Sequence, residues 1–223
     1  QRNGGPPVRE GERAELTITL VGNAYFYVPH VFLALQELGS AGLGRDNVRF
    51  QIEEVSAENG QCVYDASAST VLHPVRPRDL ALEPGPSRTR RFTLEFLSPL
   101  RLQHEGSICA APGLPEIVTA LRRRVFLLRY FHGGGLTDQL STHFLDAARD
   151  AVTLENTFAW EAASRTSTRQ RQNIPTGGVR GMIACEGDFG VLEPLLRAGE
   201  YVHVGKNATF GLGQYRLLLG DEA

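Results

Sequence analysis

Two apolar periods take turns along this chain, and their order restricts the fold more than any other feature. Glu15-Leu16-Thr17-Ile18-Thr19-Leu20-Val21 alternates apolar and polar side chains, as a half-buried strand does. Gly22-Asn23 breaks it, and Val28, Val31, Phe32, Leu35 and Leu38 then follow the helical period until Gly39, Gly42 and Gly44. Val48 to Val55 alternates again. The first half therefore predicts strand, helix, strand.

Residues 57 to 87 read as a connection punctuated by Pro74, Pro77, Pro84, Gly85 and Pro86, with Leu80-Ala81-Leu82 able to pack as a short element. A domain boundary is placed near Pro86, giving domains 1–86 and 87–223. The second half opens on the alternating run Arg91 to Leu97, stopped at Ser98-Pro99, and a polar hairpin follows through Gln103-His104-Glu105-Gly106. Ile117, Val118, Leu121, Val125, Leu128 and Phe131 predict a helix with Pro115 in its first turn and Gly133-Gly134-Gly135 at its end. A second helix is expected from Thr137 to Ala151, on the face formed by Leu140, Phe144, Ala147, Ala148 and Ala151. Strands are expected at 152–160 and 179–185, a short helix at Gly190 to Arg197, then Tyr201-Val202-His203-Val204 entering a glycine-rich turn, and a last strand from Gly213 to Leu219. Helices set between antiparallel strands are what a ferredoxin-like (RRM-like) β-α-β-β-α-β unit requires. The fold class is α+β, with tandem ferredoxin-like domains. The second half carries enough elements for one unit. The first carries only the latter part of one, and Gln1 to Pro7 reads as mid-loop, so a strand and helix are expected upstream of Gln1.

With 223 residues and 42% hydrophobic content, the chain can bury a sizeable core. No apolar run is long enough to span a membrane, so no membrane association is expected. Cys62, Cys109 and Cys185 are widely spaced and form no CxxC pair, which disfavours a zinc knuckle and fits reduced thiols in a cytoplasmic protein. No metal and no cofactor is expected. The net charge of −2 weighs against a nucleic-acid binder, but distribution matters more than the total. Lys206 is the only lysine, and arginine clusters at Arg88-Arg90-Arg91, Arg122-Arg123-Arg124 and Arg165-Arg169-Arg171. The arginine fork suits phosphate and also stacks on bases, but any single cluster is more often a solvated face.

The segment Gly205-Lys206-Asn207-Ala208-Thr209-Phe210-Gly211-Leu212-Gly213 holds the densest chemistry. It is neither a P-loop nor a dinucleotide fingerprint, because no Gly-x-x-x-x-Gly-Lys-Ser/Thr is present and a strand follows. By itself it reads equally as a hairpin turn of small residues. Glycines there leave main-chain N–H groups open to a phosphate, and Lys206 adds a mobile positive charge.

The run from Leu196 to Tyr215 resembles the C-terminal glycine-rich signature of the CRISPR-associated precursor-RNA-processing endoribonucleases of the RAMP superfamily. Further segments match in order. Phe92 to Leu102 resembles the opening strand of the second domain with its Ser/Thr-Pro-x-Arg/Lys-Leu end. Arg165 to Gln172 resembles the basic, hydroxyl-rich stretch, followed by Gly177-Gly178-Val179-Arg180-Gly181. Pro29, Ala34, Leu38-Gly39 and Gly42-Leu43-Gly44 resemble the late helix of the first domain. The resemblance covers about residues 10 to 219. It implies two ferredoxin-like domains, binding of CRISPR repeat RNA, association with other CRISPR effector proteins, and cleavage without a metal. In that reaction the ribose 2′-OH attacks the adjacent phosphate and leaves a 2′,3′-cyclic phosphate and a 5′-OH. A base, an acid and positive charge on the transition state are needed.

His203, alternating with Val202 and Val204 at the mouth of the turn, and Lys206 are the first candidates for that chemistry. His30, on the first helix and off its apolar stripe, is the second histidine; the resemblance places the catalytic histidine often in the first domain. His132 sits at a helix C-terminus, where a cation is favourable for the dipole alone. His73, His104 and His143 read as loop or helix-edge residues. RNA contacts are assigned to Arg165, Arg169, Arg171, Gly205, Lys206, Gly211 and Gly213, with Trp160 and Phe210 as stacking aromatics. A capping histidine is the structural alternative for His203, and a core position for Trp160. Two other functions stay open: a non-catalytic subunit holding guide RNA, and a ferredoxin-like ligand-binding domain unrelated to RNA.

Overall fold

The computed structural model describes residues 9–43, 47–66, 70–71, 76–104, 106–133, 142–167 and 172–220. It is a mixed helix and antiparallel-sheet protein that divides into two compact units. One comprises residues 1–19, 80–130 and 136–223; the other comprises 20–79 and 131–135.

The larger unit is built on strand β4, Arg91–Phe96, whose Phe92, Leu94 and Phe96 are buried while the alternate positions are not. To number it in chain order, the smaller unit contributes α1 (Val28–Ala41) and β1–β3 (Glu54–Ser56, Cys62–Asp65, Thr70–Val71). After β4 come the hairpin β5–β6 (Gln103–His104, Ser107–Ile108), α2 (Leu114–His132) and α3 (His143–Asp150). Then follow β7 (Val152–Asn156), β8 (Ala159–Glu161), β9 (Ser164–Ser167), β10 (Gln172–Pro175), β11 (Gly178–Arg180) and β12 (Met182–Glu186). Helix α4 (Phe189–Val202) and strand β13 (Tyr215–Leu219) complete the chain.

The central sheet has the order β13-β4-β12-β7, all antiparallel. Its buried face, Phe92, Leu94, Phe96, Ile183, Cys185, Tyr215 and Leu217, packs with Ile117, Val118 and Leu121 of α2 and Leu192, Leu195 and Leu196 of α4 in one core. A fully buried leucine contributes about 1.5–3 kcal/mol by leaving water, so this layer carries most of the stability. The predicted α2 forms as read, and Glu116 accepts the orphan Gly113 N–H at 2.9 Å just before it. β8 and β11 pair, as do β9 and β10, making one long hairpin that departs from the sheet. Leu82 packs on the core without forming an element, and Cys109 does the same beyond the β5–β6 hairpin.

Three readings change. Helix α4 runs on to Val202 instead of stopping near Arg197. The helical stripe Leu192, Leu195, Leu196 and Gly199 is buried, so core packing carries the chain through the positions where Tyr201-Val202-His203-Val204 alternates. Pro194 removes one hydrogen bond inside the helix without ending it. Glu15 to Val21, expected as a strand, pairs with no described strand. The expected strand from Val48 shortens to β1. Leu43 and Val48 close a bridge around Asn47, and Phe50 N–H donates to the Gly39 carbonyl, so these backbone groups turn to the end of α1. Of the expected 137–151 helix, the described part is α3; residues 134–141 lie outside the described residues.

Candidate nucleic-acid interface

The glycine-rich turn belongs to the larger unit, and it is anchored by the segment that ends β4. Leu97 and Ser98 N–H both donate to the Gln214 carbonyl, at 2.9 and 3.3 Å, and Gln214 N–H returns a bond to Ser98 Oγ at 2.9 Å. Gly213 N–H donates to the Pro99 carbonyl at 3.0 Å, and Lys206 N–H to the Arg101 carbonyl at 2.8 Å. Leu100 in turn pairs with Val179 of β11. The turn is thus held against one edge of a stretch whose other edge is held by the long hairpin.

Two of the glycines are required by this close approach. A Cβ at Gly213 would stand 1.8 Å from the Val204 carbonyl oxygen, and one at Gly205 would stand 2.6 Å from that of Arg101. Both also take positive φ, 66° and 89°. Gly211 differs: its φ is 82°, but nothing lies within 4 Å of its would-be Cβ. The N–H groups of Lys206, Phe210, Gly211, Leu212 and Gly213 all bond within the turn or to its anchor. The open anion nest expected from the glycine count is therefore restricted, and the exposed features left on the turn are the Lys206 side chain, Thr209 and Phe210.

His203 caps α4, where its N–H donates to the Gly199 carbonyl at 2.8 Å. It takes φ 59° and ψ 175°, a region that is essentially glycine's and costs a side-chain-bearing residue on the order of 1–3 kcal/mol. Such strain persists where the surroundings over-determine it. The imidazole is half-buried. Burial holds its pKa below the usual histidine value, the nearby Arg124 charge adds to that, and an interaction with the Ala208 main chain opposes it. A lowered pKa favours the neutral imidazole.

Arg124, on the third turn of α2, donates from Nε to the Val202 carbonyl at 2.6 Å, satisfying one of the orphan acceptors at the end of α4. Desolvation lowers its pKa. Arg101, the arginine of the Ser-Pro-Leu-Arg-Leu stretch, was not singled out as a site residue, although the motif containing it was. Its guanidinium donates to the Gly177 carbonyl, its Nε is enclosed without a partner, and its own carbonyl holds Lys206.

The remaining assignments are placed as follows. Arg165 lies on β9 opposite Ile174 of β10. Arg169 and Arg171 lie outside the described residues. Trp160 is 55% exposed and Phe210 59% exposed, so neither is a core residue. His30 is exposed on α1 of the smaller unit, its ring 5.8 Å from that of Tyr27. His132 is exposed at the end of α2, and His143 is exposed at the start of α3. His73 lies outside the described residues. Among the described residues no group of histidines, cysteines or carboxylates has the arrangement of a metal site, and no helix is long and apolar enough to cross a membrane.

The stretch just described, from β4 to the head of β13, is matched by a family model. The family model for the CRISPR-associated endoribonuclease Cas6 matches residues 94–215. The chain belongs to the Cas6 family. A second family model, described as an N-terminal domain, matches residues 2–77. An uncharacterized protein of Archaeoglobus fulgidus is 28% identical over 220 residues, which is 92% of this chain and 67% of that protein. Among solved structures, a Cas6 product complex aligns with 61% of this chain and 54% of its own, at 18% identity and a TM-score of 0.43. Thermus thermophilus Cas6 aligns with 58% of this chain and 54% of its own, at 15% identity and a TM-score of 0.43. The matched region thus spans about half the length of these Cas6 structures.

Proposed function

We propose that this Cas6-family chain binds CRISPR repeat RNA at the glycine-rich turn and cleaves it without a metal. The observation that carries the reading is His203: a half-buried imidazole whose neutral form is favoured, in a backbone conformation reserved for glycine, three residues before the exposed and only lysine. His203 removes the proton from the ribose 2′-OH, whose oxygen attacks the adjacent phosphorus. The bond from phosphorus to the 5′ oxygen breaks, and that oxygen takes a proton from an acid. The products are a 2′,3′-cyclic phosphate and a 5′-OH. Lys206 stabilises the added negative charge. His30 is the alternative catalytic histidine, and its exposure on α1 supports that role. Arg165, Arg169, Arg171 and the turn glycines Gly205, Gly211 and Gly213 are assigned to RNA contact, with Trp160 and Phe210 as stacking surfaces.

The larger unit supports a ferredoxin-like assignment: β4-α2-β7-β12-α4-β13 runs strand, helix, two strands, helix, strand, and the first and third strands are central. The smaller unit is assigned as part of a second such domain. Partners are repeat RNA and, through the family, other CRISPR proteins.

Repeat RNA incubated with the protein in excess EDTA tests the reading. Cyclic-phosphate ends are expected, with cleavage at least 100-fold slower in His203→Ala, in keeping with loss of a general base. Cleavage that is metal-dependent or untouched by both His203→Ala and His30→Ala overturns the assignment. A second reading, a subunit that holds guide RNA without cutting it, is favoured by the internal bonding of five turn N–H groups, which leaves fewer donors for a transition state. Tight binding without cleavage selects it. Absence of any RNA binding leaves a ligand-binding domain unrelated to RNA.

A further inference from the structure

Among the described residues, Arg78, Arg91, Arg149, Arg180, Arg197 and Arg216 each pair with a carboxylate. Arg124 does not. It is half-buried, its one hydrogen bond runs from Nε to the Val202 carbonyl, and no described carboxylate pairs with it. A guanidinium has five N–H donors, so fixing Nε leaves the four N–H groups of its two terminal nitrogens free of protein partners and open to solvent or to a ligand.

Its position supplies the rest. The bond to Val202 clamps the guanidinium beside His203 and so beside the mouth of the turn. The clamp also fixes the plane of the fork, which lowers the entropy lost when the fork meets a tetrahedral anion. Arg101 shares the lack of an acid, but its Nε is fully enclosed and its guanidinium is committed to Gly177.

We infer that Arg124 is a phosphate-binding residue, pinned through Nε on the end of α4 so that its two terminal nitrogens grip a backbone phosphate of the RNA beside His203. This rests on the reading that the turn binds RNA. A merely structural Arg124 would cap α4 and do no more.

The probe is repeat RNA carrying a 2′-deoxy sugar at the cleavage position, so that binding is read without cutting. Arg124→Gln keeps an amide donor for the Val202 carbonyl and removes the charge. The expected outcome is an unchanged melting temperature, about 10-fold weaker binding at low salt, and a log Kd–log salt slope smaller by about 0.7, the value of one phosphate contact on a single strand. A wild-type slope in a folded Arg124→Gln protein overturns the inference and leaves the RNA reading intact. A wild-type protein that binds no RNA overturns both. Should Arg124→Gln fail to fold, the wild-type protein decides the matter: the arginine reagent phenylglyoxal is expected to modify Arg124 in the free protein and to spare it in the RNA complex, read by mass spectrometry. Equal modification with and without RNA overturns the inference.

Discussion

The two units differ in how much they bury, and the difference explains where the sequence was obeyed. In the larger unit two elements cross a continuous apolar sheet face, and side chains such as Leu94, Ile117, Leu121, Ile183, Leu192 and Leu195 are fully out of water. In the smaller unit, Val63 is the one large apolar residue buried among those described, while Phe26, Tyr27 and Leu33 stand more than half exposed. Its sheet is a three-stranded ribbon with a register shift between Val55 and Ser56. A short ribbon with so little core is marginal by itself. Local pattern becomes structure where a partner surface exists to reward it.

The contrast can be broken or sharpened in order of effect. Gly213→Ala in the larger unit combines left-handed strain with a clash into the Val204 carbonyl, and is expected to destabilise the protein by roughly 4 kcal/mol in urea unfolding. Gly60→Ala in the smaller unit, with φ 76° and open space around it, is expected to cost about 1 kcal/mol. Equal losses would show that the close approach at Gly213 is not what its side-chain-free position serves. Leu195→Ala is expected to cost about 3 kcal/mol, as a deleted core leucine does. Phe32→Ala, which removes a half-buried ring 4.4 Å from Tyr64, is expected to cost about 1 kcal/mol. If Phe32→Ala matched Leu195→Ala, the smaller unit would hold a core of equal weight.

Thiol chemistry gives a third comparison. Burial pushes the Cys185 thiol up to about 11, against a hydrogen bond with Thr153 that acts in the other direction. That shift alone removes about 99% of the reactive thiolate relative to an ordinary cysteine. In native protein, Cys62 of the smaller unit is expected to react with a maleimide first and Cys185 only on unfolding; early labelling of Cys185 would contradict the packing of β12. The smallest effect is on pH dependence. Because the folded-state pKa of His203 lies below its unfolded value, the unfolded chain binds more protons just below the usual histidine pKa. Stability is then full above that pKa and falls as pH drops through the window down to the folded value. Urea midpoints of wild type and His203→Asn should diverge on acidification, the variant losing less. Parallel curves would remove His203 as the group responsible.

Much of the larger unit was legible because its elements are periodic and bounded. The β4 alternation, the α2 stripe from Ile117 to Val125 and the β5–β6 hairpin appear where the side chains put them, whereas Phe131, expected on that stripe, is 68% exposed. The end of α4 was misread because Tyr201-Val202-His203-Val204 satisfies a two-residue period locally, while the competing 3.6-residue stripe reaches across Pro194 from Leu192 to Gly199. That error matters at the candidate site, since it turns His203 from a strand residue into a strained helix cap. The turn glycines were legible as a cluster. Their division into close-approach positions, Gly205 and Gly213, and an open one, Gly211, depends on the carbonyls of Arg101 and Val204, which only the fold brings near. Arg124 was legible as charge within a triplet, and the triplet gave no reason to prefer it to Arg122 or Arg123. The distinction comes from which side of α2 faces the end of α4.

Gly199 has no side chain, and the hydroxyl of Tyr215 fills the notch, where it donates to the Leu196 carbonyl at 2.5 Å. Burial, with the Glu200 charge adding to it, holds that phenol well above the usual tyrosine range. The last strand and the last helix are therefore latched by a chromophore. Under alkaline titration Tyr215 gives up its proton only when α4 and β13 part. The ultraviolet absorbance step of that tyrosinate is then a built-in gauge of whether the frame behind the glycine-rich turn is closed.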